Sequence, residues 1–263
     1  MRMRARSIHA SAACAPRSTL IPLRATSPHV PLCLVCSWCF TESRWASLSK
    51  PATASFDLGL LAGRRPTTRT GLAELCARDG GRFPPLLPSE FVVELEQKTF
   101  TNGKDDRPLV ASLYESAFHL ALRNAHVLKY NELGWGDAEV AQLARALASV
   151  ATPKTAVNQT QREVRAAVIN ELYLGGNQFG DEAAIQLLDA AAQLRGLTWL
   201  NLSDNPRLGD ATFAHFGTLL SASKLNFKRL KVVRLLKTGA SAEARTRLET
   251  ACKARKVNFE LGE

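Results

Sequence analysis

Two nine-residue stretches of this chain repeat one pattern. Ile169-Asn-Glu-Leu172-Tyr-Leu174-Gly-Gly-Asn177 and Leu197-Thr-Trp-Leu200-Asn-Leu202-Ser-Asp-Asn205 both fit L-x-x-L-x-L-x-x-N, with first residues 28 positions apart. A Gly-Asp pair follows each, Gly180-Asp181 and Gly209-Asp210, and an alanine- and leucine-rich stretch comes next. Self-similarity at a fixed period constrains a fold more than any single local motif does. A third copy runs through Leu230, Val233, Leu235 and Thr238, with Gly239 to Leu248 supplying its helix. A weaker first copy runs Ala125, Leu128, Tyr130, Leu133, followed by Gly136-Asp137 and a helix from Ala138 to Ala148. There Leu133 stands where the others carry Asn or Thr, and an insertion from about Val150 to Arg165 separates this copy from the second. Val157 to Thr160 reads as a surface loop within it. Val257, Phe259 and Leu261 alternate as a closing strand would.

Each unit has a physical reading. Alternation sends Leu172 and Leu174 to one face of a short strand and Glu171, Tyr173 and Gly175 to the other. The Asn after the strand offers hydrogen bonds to backbone that is leaving the ladder. Asp181 and Asp210 are placed to cap the helix that follows them. Ala183, Ala184, Leu187 and Leu188 give that helix one apolar face. A strand, a turn and a helix of this size cannot bury their own apolar faces, so stacking must create the core.

From Ala125 to Leu261 these units resemble the long leucine-rich repeats of ribonuclease inhibitor and of Ran GTPase-activating proteins. The resemblance implies an α/β fold: a short right-handed solenoid of about four repeats, with parallel strands inside and helices outside. Ahead of the array, residues 89–124 read as a helical cap. Phe91, Val92 and Leu95 mark a first helix after Ser89, ending before the Asn102 to Asp106 turn. Leu109, Leu113, Ala117 and Leu120 supply the apolar face of a second helix, with Pro108 in its first turn.

Residues 1–88 read differently. They are rich in Arg, Ser, Pro, Thr and Ala, and show no sustained helical or strand period, so low order is expected. The first acidic residue is Glu42, and Arg2, Arg4, Arg6, Arg17 and Arg24 precede it. That lead resembles an organelle transit segment; a disordered tail and wrongly assigned coding sequence are the alternatives. The apolar run from Val30 to Phe40 is about half the length that a spanning helix needs, so no transmembrane segment is expected. Cys252 is the only one of six cysteines in the repeat region, which excludes a disulfide framework there and suits a reducing, intracellular and most simply cytoplasmic setting.

Chemistry is hard to find. Cys33-x-x-Cys36-x-x-Cys39, near His29, has metal-ligand spacing but no second cysteine pair, and the bland reading is a chance apolar cluster. The glycines from Gly175 to Gly180 lack the Gly-Lys-Ser/Thr of a phosphate loop. No nucleophile elbow or zinc-protease motif occurs, and His215 falls on a repeat helix at the surface. The sequons at Asn158 and Asn201 are formal ones, the second lying on an expected strand. The expectation is therefore a non-enzymatic protein with no catalytic residue, cofactor or metal.

The surface available for work is the strand face turned away from the helices. In the repeat register it presents Val127, Lys129 and Asn131; Glu171, Tyr173 and Gly175; Trp199, Asn201 and Ser203; and Val232, Arg234 and Leu236. Lys129, Glu171, Tyr173, Trp199, Asn201 and Arg234 are the candidate partner-binding residues, because exposed Trp, Tyr and Arg dominate interface energies. The competing reading packs Trp199 against a neighbouring strand or loop. The expected function is a scaffold that binds a protein partner of unknown identity. Two other classes stay open: a small-GTPase regulator, by analogy with the Ran activators, and a weak binder of nucleic acid or anionic surfaces through Lys224, Lys228, Arg229, Lys231, Arg234 and Lys237. The chain's net charge of +10 permits the last, but nucleic acid is not the expected partner.

Overall fold

The computed structural model describes residues 82–98, 100, 106–151, 167–222 and 225–260, together with 40, 41, 44, 45, 47, 48, 65, 67, 68 and 71. The cysteine cluster, the Asn102 turn, the Asn158 loop, Lys224, Leu261 and most of residues 1–88 lie outside these. Among the described residues, no helix is long and apolar enough to cross a membrane.

Helices and strands alternate along the chain. Described residues at 40, 41, 44, 45, 47, 48 and 71 are helical, and the helices whose full bounds are described begin with α1 (Pro88–Glu96) and α2 (Asp106–Asn124). Then follow β1 (Val127–Lys129), α3 (Asp137–Ala151), β2 (Glu171–Tyr173), α4 (Asp181–Ala192), β3 (Trp199–Asn201), α5 (Asp210–Ala222), β4 (Val232–Arg234), α6 (Ala242–Ala254) and β5 (Asn258–Glu260). All five strands are parallel in one sheet whose order matches the sequence order. A parallel neighbour needs a crossover, and a helix supplies it between successive strands. Helices α3 to α6 pack side by side in the same order.

The central residue of each of the first four strands is buried: Leu128, Leu172, Leu200 and Val233. Leu174, Leu202 and Leu235, just past the strands, join them, and each such leucine contributes roughly 2 kcal/mol through burial. Ala183, Ala184, Leu187 and Leu188 close the core from α4. The last helix starts later and runs further than its sequence suggests. Ser241 caps it by accepting from the Ala244 N–H, and Ala244, Leu248 and Cys252 form its buried stripe.

Polar groups hold the units in register. Asn177, 1% exposed, donates from Nδ2 to the Tyr130 and Leu174 carbonyls, and its Oδ1 accepts from the N–H groups of Leu133 and Trp135. It therefore spans two successive turns. Asn205 donates in the same way to Leu174 and Leu202. The first copy has no preceding turn to reach, which explains why Leu133 serves there.

The aspartates correct the capping expectation. Asp181 and Asp210 begin their own helices and reach forward, each to the unit that follows. Asp137 Oδ1 accepts from Gly180 N–H at 2.6 Å, Asp181 Oδ1 from Gly209 N–H at 2.7 Å, and Asp210 Oδ1 from Ser241 N–H at 2.6 Å. Helix N-termini lie side by side, so a carboxylate in one first turn meets the free amides of the next. Gly209 is needed for this approach, since a Cβ there would stand 3.0 Å from Asp181 Oδ2.

A shared left-handed turn marks each unit. Glu132, Gly176, Asp204 and Lys237 occupy the equivalent position, just before Leu133, Asn177, Asn205 and Thr238, and all have φ between 50° and 72°. Only one of these four is glycine, the residue best suited to that conformation.

The cap differs from expectation in which side of α2 it buries. Val110, Tyr114, Phe118 and Leu122 are buried, whereas Leu109, Leu113 and Leu120 are 58%, 42% and 64% exposed. Phe91 of α1 lies on the Tyr114 ring with centroids 3.8 Å apart, Phe40 stacks behind Phe91, and the Tyr114 hydroxyl donates to the Leu86 carbonyl. On α1 only Phe91 and Leu95 are buried, and Val92 faces out. Residues upstream of Ser89 contribute as well. Arg82, 6% exposed, donates to the Ser47 and Lys129 carbonyls, stacks on Tyr130 and accepts at its own carbonyl from the Trp135 indole. It gives the Lys129 carbonyl a partner on the side of β1 that has no neighbouring strand among the described residues.

Candidate functional site

The sheet face opposite the helices carries two rows of side chains. Register pairs Lys129, Tyr173, Asn201, Arg234 and Glu260 in one row, and Val127, Glu171, Trp199, Val232 and Asn258 in the other. The six candidate residues thus come together on one face, four in the first row and two in the second. Adjacent parallel strands lie about 4.8 Å apart, so row neighbours are within side-chain reach.

They are in contact. Lys129 Nζ sits 5.9 Å from the centre of the Tyr173 ring, and the Tyr173 hydroxyl donates to Glu171 Oε2 at 2.9 Å. Partial burial, then the Glu171 carboxylate, push the Tyr173 phenol above its ordinary pKa. Tyr173 and Trp199 are tilted against each other with centroids 6.4 Å apart, and the Arg234 guanidinium lies 4.9 Å over the Trp199 ring. Arg234 Nε donates to Glu260, which also accepts from Asn258 Nδ2 at 3.2 Å. Trp199 is half-buried under these neighbours, and its Nε1 has no acceptor among the described residues. Asn201 Oδ1 accepts from the Ser203 N–H, which orders the turn after β3.

Two expected positions are not available at this surface. Gly175 and Ser203 are buried among the turns of neighbouring units: Gly175 N–H donates to Asn131 Oδ1 of the preceding turn, and the Ser203 hydroxyl accepts from Leu236 N–H of the following one. Conversely, Asn258 and Glu260 extend both rows and are absent from the sequence-based set. The alternation of Val257 and Phe259 is the signal that places them.

No family model and no curated protein matches this chain. What the face can do must therefore be argued from its own chemistry. Its groups are one tilted aromatic pair, two cations and two carboxylates, with only Glu171 and Glu260 as acids and each already engaged. Among the described residues no group of histidine, cysteine and carboxylate side chains is placed to hold a metal ion. On the helical side, a groove of about 530 Å³ between α5 and α6 is lined by Ala214, Gly217, Thr218 and Leu248, with Arg247 as its one charged residue. His215 pairs with Asp189 at 2.7 Å across α5 and α4, away from the strand face. Asp137 is held below its ordinary carboxylate value, first by the Gly180 N–H and then by the Arg207 guanidinium, in a structural role.

Proposed function

We propose that this chain is a short leucine-rich-repeat array of the ribonuclease-inhibitor type, acting as a non-catalytic scaffold whose open strand face binds a protein partner. The observation carrying the reading is the ordered row of Lys129, Tyr173 and Arg234 beside half-buried Trp199. Long, entropically expensive side chains are held in place by ring stacking and ion pairing before any partner arrives. Such preorganisation reduces the cost of association, and Trp, Tyr and Arg in a partly desolvated cluster are the usual anchors of interfaces. The repeat assignment draws on the L-x-x-L-x-L-x-x-N pattern together with the side-by-side Asn and Asp bonding between units.

The test is affinity capture with the full chain beside a Tyr173→Ala, Trp199→Ala, Arg234→Ala variant matched for circular dichroism and thermal midpoint. A protein retained by the wild type alone is then purified and titrated against single variants. Trp199→Ala is expected to weaken it by at least about 2 kcal/mol, some thirtyfold in Kd. Equal affinity of wild type and triple variant for every captured protein removes the strand face as the site.

A further inference from the structure

The two edges of the sheet layer differ in charge. Loops that lead from each helix into the next strand stack on one another: Asn170 N–H donates to the His126 carbonyl, Thr198 to Asn170, Lys231 to Thr198 and Asn258 to Lys231. In the described parts of these loops, residues 123–126, 167–170, 193–198, 225–231 and 255–257, there is no acidic residue. Arg195, Lys228, Arg229, Lys231 and Lys256 are all exposed, and none has an ion pair among the described residues. They belong to three consecutive loops. The opposite edge, where strands lead into helices, carries Glu132, Asp137, Glu139, Asp181, Asp204 and Asp210. Cations left unneutralised at close quarters repel one another, and a docked polyanion relieves that repulsion.

This basic edge borders the row that contains Trp199, since Lys231 directly precedes β4 and Thr198 directly precedes β3. We infer that it receives an extended acidic segment, rich in Asp or Glu, of the same protein partner that lies on the strand face; the inference rests on that reading. Nucleic acid fits less well. Sequence-tolerant binding of single strands uses free aromatic faces beside the cations. Here Phe227, in the middle of the basic loop, is 2% exposed, and one face of the partly exposed Trp199 ring is already occupied by Arg234. A peptide carboxylate needs no stacking platform, and it arrives already attached to a body that can occupy the neighbouring face.

The experiment measures fluorescence anisotropy of labelled hexaglutamate, hexaglutamine and oligothymidylate with the full chain, with Lys228→Glu, Arg229→Glu, Lys231→Glu, and with the strand-face triple variant. All three replaced cations are exposed, and thermal midpoints confirm folding. Hexaglutamate is expected to bind more tightly than hexaglutamine and to weaken with salt, and the charge-reversed edge is expected to lose about tenfold in affinity. The strand-face variant should keep hexaglutamate binding. Because the N-terminal arginines also attract anions, the difference between wild type and edge variant is the deciding quantity. A loss of less than about twofold overturns the proposal, since rim charges act on this scale. So does oligothymidylate binding more tightly than hexaglutamate and vanishing in the same edge variant, which makes nucleic acid the ligand. If a captured partner depends on Trp199 and ignores the edge reversal, the edge proposal fails and the strand-face reading stands; the reverse pattern separates them the other way.

Discussion

Removing the Asn177 side chain tests the claim that polar lacing, rather than side-chain volume, sets the stacking of the units. Its amide makes four hydrogen bonds, all to backbone groups of two successive turns, at 2.8 to 3.2 Å. At about 1 kcal/mol net for each, and more for any group left buried without a partner, Asn177→Ala is expected to cost about 4 kcal/mol. With a urea slope of about 2 kcal/mol/M, the unfolding midpoint should fall by about 2 M. Asn177→Leu keeps the bulk that Leu133 provides in the first unit, and Asn177→Asp keeps the Oδ1 that accepts from two N–H groups while turning a second carboxylate oxygen toward two carbonyls. Both should be about as damaging as alanine if the donors matter. Asn205→Ala should cost less, about 2–3 kcal/mol, because Asn205 acts through Nδ2 and its Oδ1 has no partner among the described residues. The reasoning is refuted if Asn177→Leu unfolds within about 1 kcal/mol of wild type, since the turn would then be held by packing.

Three further outcomes follow from the same geometry. Tyr114→Ala should destabilise by about 3–5 kcal/mol in chemical denaturation, whereas Leu113→Ser one residue away should fall within about 0.5 kcal/mol of wild type; comparable losses would sink the assignment of the buried face of α2. Asp137 and Asp210 have carboxyl pKa values depressed by amide donors in the next unit, so folding favours their ionised forms. Their contribution is complete above the ordinary value of 3.8 and is lost as pH falls through the depressed folded values. Asp137→Asn should therefore flatten the acid limb of a stability-against-pH curve, and an unchanged limb would contradict the role given to the Gly180 bond. Burial pushes the Cys252 thiol up to about 12, so mass-spectrometric mapping after maleimide treatment at neutral pH should find this residue unlabelled until denaturant is added.

The strand register was legible because a one-residue slip would turn the buried leucines outward, and aligning the L-x-x-L-x-L-x-x-N copies leaves equivalent positions opposite one another. That pairing also fixed which side chains share the open face. The burial of α2 was not legible in the same way. Its sequence carries two series at helical spacing, and Leu109, Leu113 and Leu120 are as apolar as Val110, Tyr114, Phe118 and Leu122. The choice falls to Phe91 and Phe40, which stack on Tyr114 from far along the chain. Asp181 has the local signature of a cap, and only the placement of Gly209 beside it reveals which helix it serves. Arg82 carries no signal at all in a segment of low periodicity, because its burial depends on Tyr130, Trp135 and the carbonyl of Lys129 arriving together.

The forward-reaching aspartates recur at three successive junctions between units, and an asparagine laces the first two of these as well. Asp137, Asp181 and Asp210 each hand a carboxylate to an amide one unit ahead, while Asn177 and Asn205 each hand an amide back. Neither exchange depends on how many units stand on either side. Duplicating the span from β3 through α5 in the gene would add one junction of a kind the molecule already contains, leaving the Arg82 seal at one end and β5 at the other untouched. Length is thus a variable that this architecture can change by internal copying, and the open face would lengthen with it, one row position per copy.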